Sequence, residues 1–204
     1  MTTDMPIILL AAGQSGRMRG RDKLMEQVDG RPLVRRQADL ARAVTSGPVI
    51  VALPPAPHPR YGALEGADVI LLPVVDADAG MNHSLRTAFA ALPADVPVAM
   101  LLLGDLPDLT EADLTTLAAA ARPETGTLVW RGATEDGKPG HPIVFAAPLF
   151  AEFARLSGDG GGREVIAVAG GRVELVPLPG QHARADLDTP EDWAAWRARH
   201  GERG

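Results

Sequence analysis

Apolar residues along the chain fall in short runs separated by polar, Gly- and Pro-bearing stretches, and the runs alternate between strand and helix spacing. Pro6–Leu10 is too short for a helix and passes directly into the glycine-bearing stretch Ala11–Gly20, which predicts a buried strand and then a loop. From Pro32 the positions Leu33, Val34, Gln37, Leu40, Ala41 and Val44 follow helical spacing, with Gln37 the polar exception. Thr45-Ser46-Gly47-Pro48 stops that pattern, and Val49–Leu53 resumes as a second strand, completing a β-α-β unit. Pro54–Pro59 carries four prolines and predicts a loop.

Further along, Val69–Val75 predicts a strand, Asn82–Leu92 a helix, and Val96–Leu103 the most apolar strand of the chain. Thr110, with Asp113 three residues later, predicts the capped start of an Ala-rich helix that ends before Pro123. Thr127–Arg131 and Pro142–Ala146 read as strands on either side of the polar Gly132–Gly140 stretch. Helices near Pro148–Leu156 and Arg163–Ala169, a late strand at Val173–Val176, and a helix opened by Thr189-Pro190-Glu191-Asp192 complete the series. No internal repeat interrupts it and no linker divides it. The expectation is one α/β domain over residues 1–204, a Rossmann-like, doubly wound, mostly parallel sheet with helices on both faces.

Composition narrows the function more than the fold. Of 204 residues 46% are hydrophobic and 23% charged, which excludes a disordered chain. The absence of cysteine removes disulfides, thiolate metal sites and cysteine nucleophiles, and suits a reducing compartment. No apolar stretch approaches the roughly 18 residues of a membrane span, and the N-terminus lacks the marks of a secretion signal, so the expected location is cytoplasmic. A net charge of −6 disfavours nucleic acid and anionic membranes as partners. Only Lys23 and Lys138 are lysines among 20 cationic residues, so the placement of Lys23 carries information.

In doubly wound sheets ligands gather at the carboxyl ends of the strands, and the chemistry-bearing residues of this chain follow strands. Leu10, Ala11, Ala12 and Gly13 lead into a loop bearing Arg17, Arg19, Arg21 and Lys23, which fits a phosphate cradle as well as a turn stiffened by arginine. The loop is neither a Gly-Lys-Ser/Thr cradle nor a G-x-G dinucleotide fingerprint. Asp105 follows the most apolar strand, and Asp186 and Asp188 share one face of a short extended segment before the last helix. Two separated carboxylates near a triphosphate cradle suit magnesium, which completes its shell from water and phosphate oxygens. His141, between Gly140 and Pro142, is equally open to a substrate-side role and to a structural one. The glycine-rich Gly158–Arg163 segment could grip a second substrate through Asp159 and Arg163 or merely turn the chain. His58, His182 and His200 have no motif around them and read as solvated; His83 reads as a helix cap. Trp130, Trp193 and Trp196 read as packing residues.

Leu-Ala-Ala-Gly-x-Ser-x-Arg-Met with Lys23, then Gly-Asp-Leu-Pro, Gly140-His141-Pro142 and Asp-Leu-Asp-Thr-Pro-Glu-Asp together resemble the nucleotidyltransferases of molybdenum cofactor biosynthesis. The resemblance covers about residues 6–196. It implies a triphosphate on the first loop, magnesium on Asp105 and Asp188, and Gly80 and Ser84 against the nucleoside. Arg17 and Lys23 would neutralise the departing pyrophosphate. It also implies an enzyme that transfers CMP from CTP to the terminal phosphate of molybdopterin, free or metal-loaded, about ten- to a few-hundred-fold in preference to GTP because Ala12 narrows the base pocket. A recipient molybdoenzyme would be the partner. The rival readings are a guanylyl- or sugar/polyol-phosphate transferase on the same scaffold and a non-catalytic cofactor-delivery factor. One departure stands out: Arg19 occupies a position where the family usually has glycine, with Gly20 next to it.

Overall fold

A computed structural model describes residues 2–77, 80–157 and 160–201. One seven-stranded sheet runs through it in the order β5-β4-β1-β6-β8-β7-β9. Its strands are β1 (Ile7–Leu10), β4 (Val49–Leu53), β5 (Ile70–Pro73), β6 (Val98–Leu103), β7 (Val129–Ala133), β8 (Pro139–Ala146) and β9 (Val173–Pro177). A two-stranded ribbon, β2 (Gln27–Val28) with β3 (Arg31–Pro32), lies between β1 and the first long helix. Pairing is parallel throughout the large sheet except where β8 runs antiparallel to both β6 and β7. That reversal has a consequence for the site. It brings the first residues of β8, Pro139 to His141, to the edge where β1, β4 and β6 end.

The two-residue period of the strands divides the core in two. Ile7, Leu9, Val51 and Met100 face one side, where they meet α1 (Leu33–Val44), α4 (Glu111–Ala120) and α7 (Pro190–His200). Ile8, Ala52, Leu101 and Phe145 face the other, against α3 (Met81–Ala90), α5 (Phe150–Phe153) and α6 (Arg163–Ala169). Helices therefore cover both faces, as the alternating pattern predicts. On α1 the buried positions are Leu33, Val34, Gln37, Ala38, Ala41 and Val44. The polar exception is accommodated because Gln37 Nε2 donates to the Leu106 carbonyl at 2.8 Å.

Two helix starts follow from their cap residues. Thr110 with Asp113 and Thr189 with Asp192 each form a complete capping box, worth about 1 kcal/mol at each helix. The Pro54–Pro59 loop leads into one feature that the sequence pattern did not reveal, the single-turn α2 (Pro59–Ala63). The tryptophans pack: Trp130, Trp193 and Trp196 are all buried. No helix among the described residues is long and apolar enough to cross a membrane.

Candidate active site

The loop after β1 is held from below by one side chain. Arg60, on α2, is 1% exposed, and its guanidinium spends its donors on the loop. Nη1 donates to the Ala11 carbonyl at 2.5 Å, and Nη2 to the Gly13 carbonyl at 2.8 Å. Nε and Nη2 grip both oxygens of Asp22 at 2.7 and 2.6 Å, the bidentate geometry that suits arginine to carboxylate. Burial pushes the Asp22 carboxyl up, but the Arg60 contacts outweigh it and hold the group below the ordinary carboxylate range. Asp22 in turn caps the turn that carries Lys23, accepting from Leu24 N at 2.9 Å. Arg60 thus ties both ends of the glycine loop together. The only sign of it in the residue pattern is the His58-Pro59 helix start just before it.

Along this loop Arg19 takes a left-handed conformation (φ 52°, ψ 48°), followed by Gly20 at φ 86°. Arg19 therefore takes a glycine-like geometry, at a cost of about 1–2 kcal/mol.

Lys23 Nζ lies 2.6 Å from Asp105 Oδ2 and 2.8 Å from Asp188 Oδ1. Arg17 Nη2 meets the other oxygen of Asp188 at 2.7 Å. Residues 82 and 165 positions away along the chain thus converge on one ammonium group. The convergence has a backbone cause: Leu187 N donates to the Asp105 carbonyl, laying the extended segment before α7 beside the end of β6. Burial alone would lower the Lys23 pKa, but the two carboxylates reverse the sign and raise it, so the group stays cationic. For Asp186, burial and then the charges of Asp105 and Asp188 raise the carboxyl pKa.

Among the described residues no three His, Asp or Glu side chains converge on a metal-sized site. The donor set nevertheless fits a hard divalent cation. Asp105 Oδ1 is buried with no hydrogen-bond partner, and Asp188 adds a second carboxylate, leaving the remaining positions to water and phosphate.

Two cavities open from this centre. The first, about 360 Å³, is lined by Leu10, Ala12, Gly13, Gly80, Ser84, Lys23 and Asp105 among others. Ala11 does not line it; its side chain belongs to the opposite core, and its carbonyl serves Arg60. Gly80 has φ 102°, open to glycine but not to other residues, and it caps α3, which carries Ser84. The second cavity, about 720 Å³, lies beside the first and is lined by Arg17, Lys23, Asp105, Asp188, Arg131, His141, Arg163 and Arg184 with an apolar floor.

His141 reaches this cavity because Gly140 permits it: a Cβ at position 140 would lie 2.0 Å from the Ala183 carbonyl oxygen. Close backbone approach is why glycine stands there, and it lets His141 N donate to that same carbonyl at 2.8 Å. His141 Nδ1 is buried and unpartnered, and burial, then the Arg131 charge, lower the ring pKa to about 4. The imidazole is neutral at physiological pH. Arg163 lines the same cavity, whereas Asp159 lies outside the described residues.

The other histidines differ from their sequence reading. His83 lies within α3 rather than capping it, and its ring meets Arg86 at 2.9 Å. Three expected to be solvated have structural partners instead: His58 caps α2, His182 meets Asp113 at 2.8 Å, and His200 stacks on Trp196. For His182 the partner is distant in sequence, which local pattern cannot show, whereas His58 and His200 meet the near neighbours Arg60 and Trp196.

A mostly parallel sheet of this order, with a glycine-bearing loop and a lysine-bridged carboxylate pair at its carboxyl edge, defines an α/β protein of the kind that places its ligand at that edge. The chain belongs to the MobA-like NTP transferase domain family, which matches residues 7–176. Among solved structures, the homologue of Rv0371c from Mycobacterium sp. strain JC1 superposes with a TM-score of 0.83 at 25% identity, covering 98% of both chains. Rv0371c of Mycobacterium tuberculosis H37Rv in complex with manganese gives 0.76 at 26% identity, covering 95% of this chain and 97% of that one. Among curated proteins, the Bifunctional protein GlmU of Burkholderia mallei (strain SAVP1) is 33% identical over 118 residues, or 57% of this chain. The matched stretch is about a quarter, 26%, of that relative's length.

Proposed function

We propose that the protein is a divalent-metal-dependent nucleotidyltransferase that moves CMP from CTP to the terminal phosphate of molybdopterin, free or metal-loaded, and releases pyrophosphate. The observation that carries this reading is the Lys23 bridge between Asp105 and Asp188, set where the two cavities meet. One cavity is the nucleotide's and the other the acceptor's. Asp105 and Asp188 would hold the metal, magnesium in this reading, and its chemistry there is to neutralise phosphate charge; the manganese complex of a relative supports a divalent ion.

No side-chain nucleophile is required. A phosphate monoester is largely dianionic at neutral pH, because its second pKa is about 6. One of its oxygens forms the new bond to the α-phosphorus, the α–β bridging bond breaks, and the electron pair leaves with pyrophosphate. Gly13 and its neighbours cradle the triphosphate with backbone N–H groups. Lys23 and Arg17 stabilise the charge that builds on the leaving pyrophosphate. Gly80 and Ser84 lie against the nucleoside, and Ala12 narrows the base pocket, favouring a pyrimidine.

Pyrophosphate release from each of the four ribonucleoside triphosphates, with and without molybdopterin, tests the reading. Release with CTP that depends on molybdopterin is expected. A dominant guanine product in a CTP and GTP competition would replace it with the guanylyl alternative, and release only with a sugar or polyol phosphate would replace the acceptor.

A further inference from the structure

Lys23, Asp105 and Asp188 come from three separate segments, and all three segments meet one helix. Asp188 precedes α7 directly, and its backbone is part of that helix's cap: Asp188 N donates to Asp192 Oδ2 at 3.2 Å. The short turn Lys23–Met25 ends at Glu26, whose Oε2 accepts from Arg197 Nη2 on α7 at 2.6 Å. The loop after β6 carries Asp105 and then Asp108, whose Oδ1 accepts from Trp196 Nε1 at 2.6 Å. Two adjacent residues of α7 therefore grip the Lys23 turn and the Asp105 loop.

The Arg197 and Glu26 side chains are 19% and 15% exposed, so water and salt screen their attraction less than that of the exposed Arg19–Glu191 pair at the start of the helix. The Arg197 guanidinium also lies 5.1 Å from the centroid of the Trp193 ring, which steadies it. Trp193 and Trp196 are both buried in the core beneath α7, so the helix is anchored where it reaches out. Two weaker neighbours complete the picture: His200 Nε2 stands 3.3 Å from Asp108 Oδ1, and the exposed Arg21 stands 3.9 Å from Glu26 Oε1. The Lys23 bridge cannot itself keep the three segments in register through the proposed transfer, where Lys23 serves the departing pyrophosphate and the carboxylates the cation. A displacement of about 1 Å at such a centre costs about a hundredfold in rate.

We propose that Trp196 and Arg197 are positioning residues for the reacting centre: through Asp108 and Glu26 they hold the Asp105 loop and the Lys23 turn against the segment that carries Asp188. This deepens the nucleotidyltransferase reading and rests on it for what the centre does. Neither residue touches a substrate. Arg197 acts through Lys23, and Trp196 through Asp105, so each is expected to matter only as far as the group it places.

Lys23 and Lys138 are the only lysines of the chain, so acetylation of the full chain by acetic anhydride, followed by peptide mass spectrometry, reads Lys23 against an internal standard. Lys23 is 15% exposed and held by two carboxylates, whereas Lys138 is 63% exposed. In Arg197→Gln and in Trp196→Phe, each shown to be folded by circular dichroism, Lys23 should react at least about threefold faster than in the wild type, with Lys138 within about twofold. Phe153→Leu, which weakens the core on the opposite face of the sheet, should leave the Lys23 rate unchanged; general loosening would raise it in all three variants. Calorimetry with CTP and manganese then relates the placement to the site. Arg197→Gln should weaken CTP binding at least about fivefold in the otherwise native chain and less than about twofold in a Lys23→Ala background, because it acts through Lys23. A Lys23 rate unchanged in both α7 variants, a rate raised equally in Phe153→Leu, or equal losses of CTP affinity in the two backgrounds would overturn the proposal. If Lys23 responds as expected but no triphosphate binds the native chain, α7 still positions Lys23 and the nucleotidyltransferase reading falls.

Discussion

Arg19 and His141 show how single residues absorb the constraints of the site. Arg19 holds a left-handed backbone that costs an arginine more than a glycine, and its partner Glu191 is an exposed pair that repays little. Arg19→Gly should therefore stabilise the fold by about 0.5–1 kcal/mol, raising the melting temperature by about 1–4 °C, with triphosphate affinity retained. Thermal unfolding of the two proteins side by side checks this; an unchanged or lower melting temperature would mean that the loop does not bear the strain. His141 gives a pH dependence whose sign is fixed. Its folded pKa, about 4, lies below the ordinary histidine value of 6.5, so the unfolded chain binds the extra proton between those values. Stability should be fully present above about pH 6.5 and fall as pH drops towards 4. Arg131 and Asp105 face the ring with opposite charges, and burial is the larger cause. Chemical denaturation from pH 4 to 7 should show the slope in the wild type and a flatter one in His141→Gln.

The elements most legible in the sequence are those whose pattern is local. β1 and β4 read directly because Ile- and Val-rich runs end in glycine or proline, and the starts of α4 and α7 read directly because a capping box is a four-residue signal. The direction of β8 does not read, since Pro142–Ala146 looks the same whichever way the strand runs, yet that direction is what delivers His141 to the site. The single turn α2 hides behind prolines, and with it Arg60. A lone arginine in a proline-rich stretch is ordinarily solvated; only the His58-Pro59 start of a helical turn hints otherwise. Arg60→Ala should cost about 3 kcal/mol, because it leaves Asp22 and two loop carbonyls without their partner. Arg60→Lys keeps the charge but not the fork, so at temperatures where it is folded its triphosphate affinity should still fall at least tenfold. Wild-type affinity in Arg60→Lys would reduce Arg60 to a generic buried charge.

At the scale of the whole molecule, residues far apart in sequence meet only because the sheet winds both ways from β1. The glycine loop follows β1, Asp105 follows β6, and Asp188 returns from the far end beyond β9 to lie beside Asp105. The motifs were visible as four separate segments, but the Lys23 bridge that joins three of them is a property of the fold. Arg131 and Arg184 are not legible in the chain, since they sit in unrelated contexts and join Arg163 in lining one cavity only through the fold. The central claim is that the Asp105 and Asp188 carboxylates around Lys23 form the reacting centre of a nucleotidyl transfer. Molybdopterin-dependent pyrophosphate release from CTP, compared among the wild type, Asp105→Asn and Asp188→Asn with circular dichroism confirming that each is folded, tests it most directly. The account predicts a loss of at least a hundredfold in each folded variant, whereas near-normal release in both would contradict it.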